Sequence, residues 1–210
     1  MDRRQALKHV AAAAGLAAIG MPALAQREPF NTLDPVQSTE DPSRIEIIEF
    51  FHYGCPHCRD FDPLLEAWLV SLPKDVYFKR VPAIWGNPKL KALARFYYAA
   101  EATGDLHTLH GDVFAAFQTA HVALDKPEGV QEWVASKGVD ADKFMAAYKS
   151  FGIESKLSRA DQLARNFRVQ GVPTVAVNGQ YTTSASLTGS HENTLKVVDE
   201  LIAKVRQSRG

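Results

Sequence analysis

Ile45-Glu46-Ile47-Ile48-Glu49-Phe50-Phe51-His52-Tyr53-Gly54-Cys55-Pro56-His57-Cys58 decides the fold. Its first half is nearly continuous in apolar side chains, as in a central strand covered on both faces. Helix follows from Pro56, with Phe61, Leu64, Leu65 and Trp68 at helical spacing. Cys55 and Cys58 are the only two cysteines of the chain. Two intervening residues put one thiol at the helix start and the other one turn in, close enough to close a small disulfide ring. Sulfur placed this way serves redox chemistry rather than stapling, with Cys55 reachable and Cys58 sheltered.

Working outward, residues 30–33 read as a short strand, separated from the central one by turn-rich residues 34–43. Residues 75–81 read as a strand after the breaker Leu72-Pro73. This is a β-α-β unit, whose crossover is almost always right-handed. From residue 87 to 152 strand signals vanish. Leu90, Leu93, Ala94, Tyr97 and Tyr98 form one helical stripe that Gly104 stops, and further helices are expected over 105–121, 127–136 and 140–151. Strand character returns at 174–177, and Asn178-Gly179 is a hairpin signal leading into 180–183. A last amphipathic helix over 192–206 carries Leu195, Val198, Leu201, Ile202 and Val205 on one face. The expectation is an α/β fold, a mixed central sheet flanked by helices, with an inserted all-helical domain. Its parts are residues 26–86, the insertion 87–152, and residues 153–210.

The first 25 residues stand apart. Arg3, Arg4 and Lys8 precede an apolar stretch ending in Ala23-Leu24-Ala25, the pattern of a signal peptide cleaved after Ala25. Gly15, Gly20 and Pro22 interrupt it, and it falls short of the roughly 20 apolar residues of a spanning helix. Asp2-Arg3-Arg4-Gln5-Ala6-Leu7-Lys8 resembles a twin-arginine signal with Ala6 in place of a bulky apolar residue, so the general secretory and twin-arginine routes both stay open. Export implies an oxidising compartment in which disulfides persist, and the bacterial periplasm fits. The whole chain has 24 basic and 24 acidic residues. Removing Arg3, Arg4, Lys8 and Asp2 leaves 21 and 23, a balance that gives no sign of nucleic-acid binding.

The helix start carries the chemistry. Its unpartnered N–H groups and partial positive charge of about half a unit favour an anion there. Pro56 suits the first helical position because its missing N–H costs nothing and its backbone angle is already set. The Cys55 sulfur can accept from the N–H groups of His57 and Cys58 as an N-cap oxygen would. His57 adds to the effect by stabilising negative charge nearby. His107, His110, His121 and His191 read as ordinary surface histidines, and His52 could approach the thiolate or face away. Stabilising the thiolate favours the reduced state, so the disulfide becomes a stronger oxidant.

Cys-Pro-His-Cys after Glu-Phe-Phe, an inserted helical region and the later Gly171-Val172-Pro173-Thr174 together resemble the DsbA family, periplasmic thiol:disulfide oxidoreductases with a thioredoxin fold. Thiol acidity and redox poise of this direction have DsbA proteins as their standard example. The resemblance covers nearly the whole mature chain. It implies that Pro173 is cis and lies against the cysteines, with Val172, Pro173 and Thr174 offering backbone to an extended substrate. Val172 points to the oxidases, since isomerase relatives such as DsbC tend to carry threonine there. Glu49 is similar to the buried acid that thioredoxin-like proteins keep beneath the disulfide as a proton relay, with Arg80 on the next strand a plausible partner. Gly54 departs from thioredoxin, which has tryptophan before its first cysteine. The resemblance further implies reduced exported proteins as substrates and reoxidation by a membrane quinone-linked oxidase of the DsbB kind. A monomer without cofactor is expected.

Two rivals remain at this level. A reductase or isomerase of the same fold would require a more stable disulfide. A metal-binding protein would use Cys55, Cys58 and His57, with His52 as a further candidate, but two cysteines make only half of a tetrahedral zinc site, and no metal is expected.

Overall fold

The computed structural model describes residues 28–209, so the leader lies outside the described residues. Seven residues of central strand, β2 (Ile45–Phe51), are all buried. The short β1 (Asn31–Thr32) precedes it, α1 (Pro56–Leu69) follows it, and β3 (Val76–Pro82) returns parallel to it. The chain then runs through α2 (Pro88–Thr103), α3 (Leu106–Gln118), α4 (Pro127–Ser136), α5 (Ala141–Tyr148) and α6 (Phe151–Asn166). β4 (Thr174–Val177), β5 (Tyr181–Thr183), the single turn α7 (Ala185–Thr188) and α8 (His191–Arg209) complete it. The sheet is mixed, in the order β1-β5-β4-β2-β3, with β4 antiparallel to β2.

Alternation along β2 feeds two cores. Ile45 and Ile47 pack with Phe61 and Leu65 of α1 and with Val198, Leu201 and Val205 of α8. Ile48, Phe50 and Phe51 join the larger core of the helical region, where Phe96 meets Trp133 and Phe144 at ring separations of 5.7 and 5.2 Å. Full burial of such side chains contributes about 1.5–3 kcal/mol each. Glu46 and Glu49 bring no such gain, although they are only 1% and 2% exposed. Both are answered from β3: Lys79 lies 2.9 Å from Glu46 and Arg80 2.9 Å from Glu49.

Local signals explain the helix starts. Asn87 caps α2 by accepting from the N–H groups of Lys89 and Leu90, and Gly104, at φ +86°, ends it. Asp140 caps α5 in the same way through Lys143. The helix expected over 140–151 ends at Tyr148, because Ser150 turns out of the helix and caps the next one, its Oγ accepting the Ile153 N–H at 3.4 Å. The whole of α6 escaped the sequence reading, since its buried stripe of Ile153, Leu157, Ala160 and Ala164 is half alanine in a charged stretch. The expected boundary at 152–153 falls in its first turn. Likewise α3 ends at Gln118, short of the expected residue 121.

The hairpin between β4 and β5 turns at Asn178 and Gly179, both with positive φ (53° and 65°). A Cβ on Gly179 would lie 2.0 Å from the Gln37 carbonyl oxygen. Gly179→Ala is therefore expected to destabilise the protein by about 2–3 kcal/mol, combining left-handed strain with a backbone clash. Urea unfolding measures this, and a loss below about 0.5 kcal/mol would show that the turn yields freely.

Candidate active site

Cys55 is the N-cap of α1, in extended conformation (φ −95°, ψ 117°), with Pro56 as the first helical residue. The Cys58 N–H donates to its Sγ at 3.3 Å, and Sγ–H faces the Val172 carbonyl at 3.4 Å. Cys55 is 7% exposed and Cys58 fully buried, both as free thiols, while Pro56 and His57 lie on the surface. The turn itself is held: the Cys55 N–H donates to the His52 carbonyl at 3.0 Å. From α3, Gln118 Nε2 donates to the carbonyls of Tyr53 at 2.7 Å and Cys55 at 3.1 Å.

The two thiols differ in acidity for separate reasons. Hydrogen bonding from the Cys58 side chain is the largest influence on Cys55. Burial opposes it, and the N–H groups of Cys58 and His57 with the His57 charge complete the balance, bringing the Cys55 pKa down to about 6. Burial pushes Cys58 strongly up, reinforced by its bond to Cys55 and by the nearby charge of Glu49. A proton on this pair therefore resides on Cys58, and the anion on Cys55.

Beneath the pair, Arg80 serves three carboxylates. Its Nε donates to Glu49 at 2.9 Å, and its Nη2 donates to Asp62 at 3.0 Å and Glu66 at 2.7 Å. Glu49 stands directly opposite Arg80 in the β2–β3 register. Burial nevertheless prevails over the Arg80 cation and raises the Glu49 pKa to about 7. Asp62 sits one turn after Cys58 on the inward side of α1. Burial resists its ionisation, but the His110 bond and Arg80 hold its carboxyl below the usual range.

Val172-Pro173 is a cis peptide bond, and its loop faces Cys55. Thr174 Oγ1 donates to the Gly171 carbonyl at 2.7 Å, which ties the loop to the start of β4. A groove of about 800 Å³ opens beside it, lined by His57, residues 167–174 and 182–187, and His191 at the start of α8. His52 turns its ring edge-on to Trp85, 6.0 Å away, and its Nδ1 would lie 3.4 Å from a Cβ on Gly54. The absence of a side chain at Gly54 thus makes room for that ring.

Each sequence-selected residue lies at or under this site: Cys55, Pro56, His57 and Cys58 on the turn, Val172, Pro173 and Thr174 facing it, Glu49 below. Sequence reading missed Asp62, Tyr53, Gln118 and His110. Asp62 had a signal, an acid beside Phe61 on the apolar stripe of α1. His110, read as a surface histidine, is 5% exposed. Among the described residues no group of three or more His, Cys, Asp or Glu side chains is arranged to hold a metal ion.

A cysteine pair across the first turn of the helix after the central strand, faced by a cis-proline loop from the neighbouring strand, defines a thiol:disulfide oxidoreductase of the thioredoxin fold. Residues 77–195 match the DSBA-like thioredoxin domain family. The chain is 38% identical over 192 residues to the thiol:disulfide interchange protein DsbA of Pseudomonas aeruginosa, covering 91% of this chain and 90% of that protein. It is also 38% identical over 201 residues to DsbA of Bordetella parapertussis, covering 93% and 95%. The crystal structure of P. aeruginosa DsbA superposes with a TM-score of 0.83 over 86% of this chain and 94% of that one, at 38% identity. NmDsbA1 of Neisseria meningitidis does so with a TM-score of 0.76 at 26% identity, covering 86% and 93%. The chain belongs to the DSBA-like thioredoxin domain family.

Two measurements check the electrostatics. Because the Cys55 pKa is lowered on folding, its contribution to stability of the reduced protein is full above the ordinary thiol value of 9.0 and vanishes as pH falls through about 6. Thiolate absorbance of the reduced protein should accordingly titrate near pH 6, whereas a midpoint near 9 would contradict the helix-start argument. Arg80→Leu leaves Glu49 and Asp62 buried without their cation, and is expected to lose about 3–5 kcal/mol in urea unfolding at neutral pH. A loss under about 1 kcal/mol would show that the carboxylates find water or protons instead.

Proposed function

We propose that the protein oxidises pairs of cysteine thiols in newly exported, reduced proteins by donating a Cys55–Cys58 disulfide. A substrate thiolate attacks Cys55 Sγ. The Cys55–Cys58 bond breaks, its electron pair passes to Cys58 Sγ, and a substrate–Cys55 disulfide forms. A second substrate thiolate then attacks the substrate sulfur of that mixed disulfide, expelling Cys55 as thiolate. The substrate leaves with a disulfide and the enzyme keeps two electrons as its reduced pair.

Each residue has a part in these steps. Exchange is faster when the departing thiol is acidic, which the helix start, Pro56 and His57 provide for Cys55. Cys58 is the poor leaving group, so a proton delivered as it departs matters more there. Glu49, with a pKa of about 7, is half-protonated near neutral pH and supplies it. The loop of Val172, Pro173 and Thr174 offers backbone to an extended segment of substrate, and the adjoining groove takes the flanking residues. The single observation that carries this reading is the asymmetry of the pair, an acidic reachable thiol at 3.4 Å from the loop carbonyl above a buried, strongly basic one.

The family and the leader pattern support a periplasmic setting, with reoxidation by a membrane quinone-linked partner of the DsbB kind. Among the described residues no helix is long and apolar enough to cross a membrane.

Cys58→Ser should accumulate mixed disulfides through Cys55 with exported proteins, visible on non-reducing gels and absent in Cys55→Ser. Their absence would overturn the assignment. Equilibration of the wild type with glutathione separates oxidase from reductase: an oxidising equilibrium is expected, and a strongly reducing one would place the protein with the reductases.

A further inference from the structure

His110 is a buried titratable group that the thiol exchange as described leaves without a task. It projects from α3, in the helical region, toward Asp62 of α1, the end of β2 and the turn that carries Tyr53. Nε2 lies 3.1 Å from Asp62 Oδ1, and Nδ1 lies 2.8 Å from the Tyr53 hydroxyl. Four aromatic rings enclose it, with Tyr53, Phe51, Phe114 and Tyr97 at 5.3, 5.4, 5.5 and 6.2 Å. The charged and titratable groups facing it are Tyr53, Asp62, Arg80, Glu66 and the Tyr97 ring.

These contacts leave one consistent arrangement of protons. Asp62 is ionised and can only accept, so the imidazole proton sits on Nε2. Nδ1 then accepts from the Tyr53 O–H. Burial keeps the ring neutral. Both ring nitrogens are thereby used, and the imidazole acts as a fixed neutral bridge rather than as a cation.

The bridge bears on Glu49 through a shared partner. Asp62 and Glu49 both draw on Arg80, Asp62 from Nη2 and Glu49 from Nε. Asp62 also repels Glu49. How firmly the Nε2–H bond satisfies Asp62 therefore decides how much of the Arg80 cation remains for Glu49, whose own charge in turn opposes the Cys58 thiolate.

We propose that His110 is a positioning residue for the thiol chemistry: by holding Asp62 against Arg80 Nη2 it sets the share of the Arg80 charge left to Glu49, the acid beside Cys58. This rests on the proposed proton transfer between Glu49 and Cys58. It ties the redox centre to the helical region through one side chain and gives Tyr53, on the turn ahead of Cys55, a second anchor.

The test uses the full-length reduced protein mixed with saturating glutathione disulfide, where the rate is set by Cys58 expelling glutathione from Cys55. Glu49 must then accept the Cys58 proton, so the rate falls along an acid limb as Glu49 becomes protonated. Glu49→Gln should abolish that limb. Asp62→Asn removes both competitor and repulsion, and should move the limb to lower pH by about half a unit, about threefold faster at a fixed pH on it. His110→Leu leaves Asp62 leaning on Arg80 alone, and should move it up by a similar amount, about threefold slower. His110→Gln keeps an N–H for Asp62 and should restore the wild-type limb.

An unmoved limb in His110→Leu, with Glu49→Gln still abolishing it, overturns the role of His110 and leaves that of Glu49 standing. An unmoved limb in Glu49→Gln overturns the proton transfer itself. Should His110→Leu fail to fold, Asp62→Asn decides, and an unmoved limb there overturns the inference.

Discussion

Arg80 holds three carboxylates on one guanidinium, and the layout of the site depends on it. A carboxylate in the middle of a fully buried strand is stable only with a counter-charge close by, since an isolated buried ion is far costlier than any hydrogen bond returns. Parallel pairing of β3 with β2 puts Arg80 directly opposite Glu49, and α1 brings Asp62 and Glu66 to the same fork. Burial raises the proton affinity of Glu49 more than its share of the Arg80 cation lowers it, and the neighbouring Asp62 charge adds to the rise, so Glu49 keeps a proton into the neutral range.

Above this sits a pair of thiols that differ only in position. Cys55 terminates the helix and is served by its N–H groups, while Cys58 lies one turn in, walled by the core and facing a carboxylate. The polarity of the disulfide, which sulfur is attacked and which departs, follows from that one turn of helix. Val172 closes the arrangement from the other side by placing a carbonyl over Cys55. Gln118 and His110 fasten the turn to α3, so the helical region is a wall of the redox centre as well as a neighbour of the sheet.

The parts of this that were legible in sequence share a property: they depend on residues close together in the chain. Strand 45–51, the helix opening at Pro56, the Asn178-Gly179 hairpin and the start of α2 at Asn87-Pro88 each follow from local backbone preference. α6 was invisible for the same reason inverted, since half of its buried face is alanine, which gains little from burial by itself and packs because α2 and β3 lie against it. The helix expected over 140–151 stops at Tyr148, ahead of the cap at Ser150, a single hydroxyl that periodicity does not detect.

The sequence alone determined the chemistry at Cys55: two cysteines, two residues apart, at a helix start behind a buried strand, with a proline to open the helix and a histidine beside the sulfur. It also marked Glu49 and Val172-Pro173, through a resemblance that spans the chain. Only the tertiary structure decided what these groups feel. Glu49 and Arg80 are 31 residues apart, His110 and Asp62 48 apart, Cys55 and Val172 117 apart, so their distances are fixed by sheet register and helix packing. Thiol acidity at the surface of a helix is a local property, whereas the proton affinity of a buried acid is set by every charge enclosed with it.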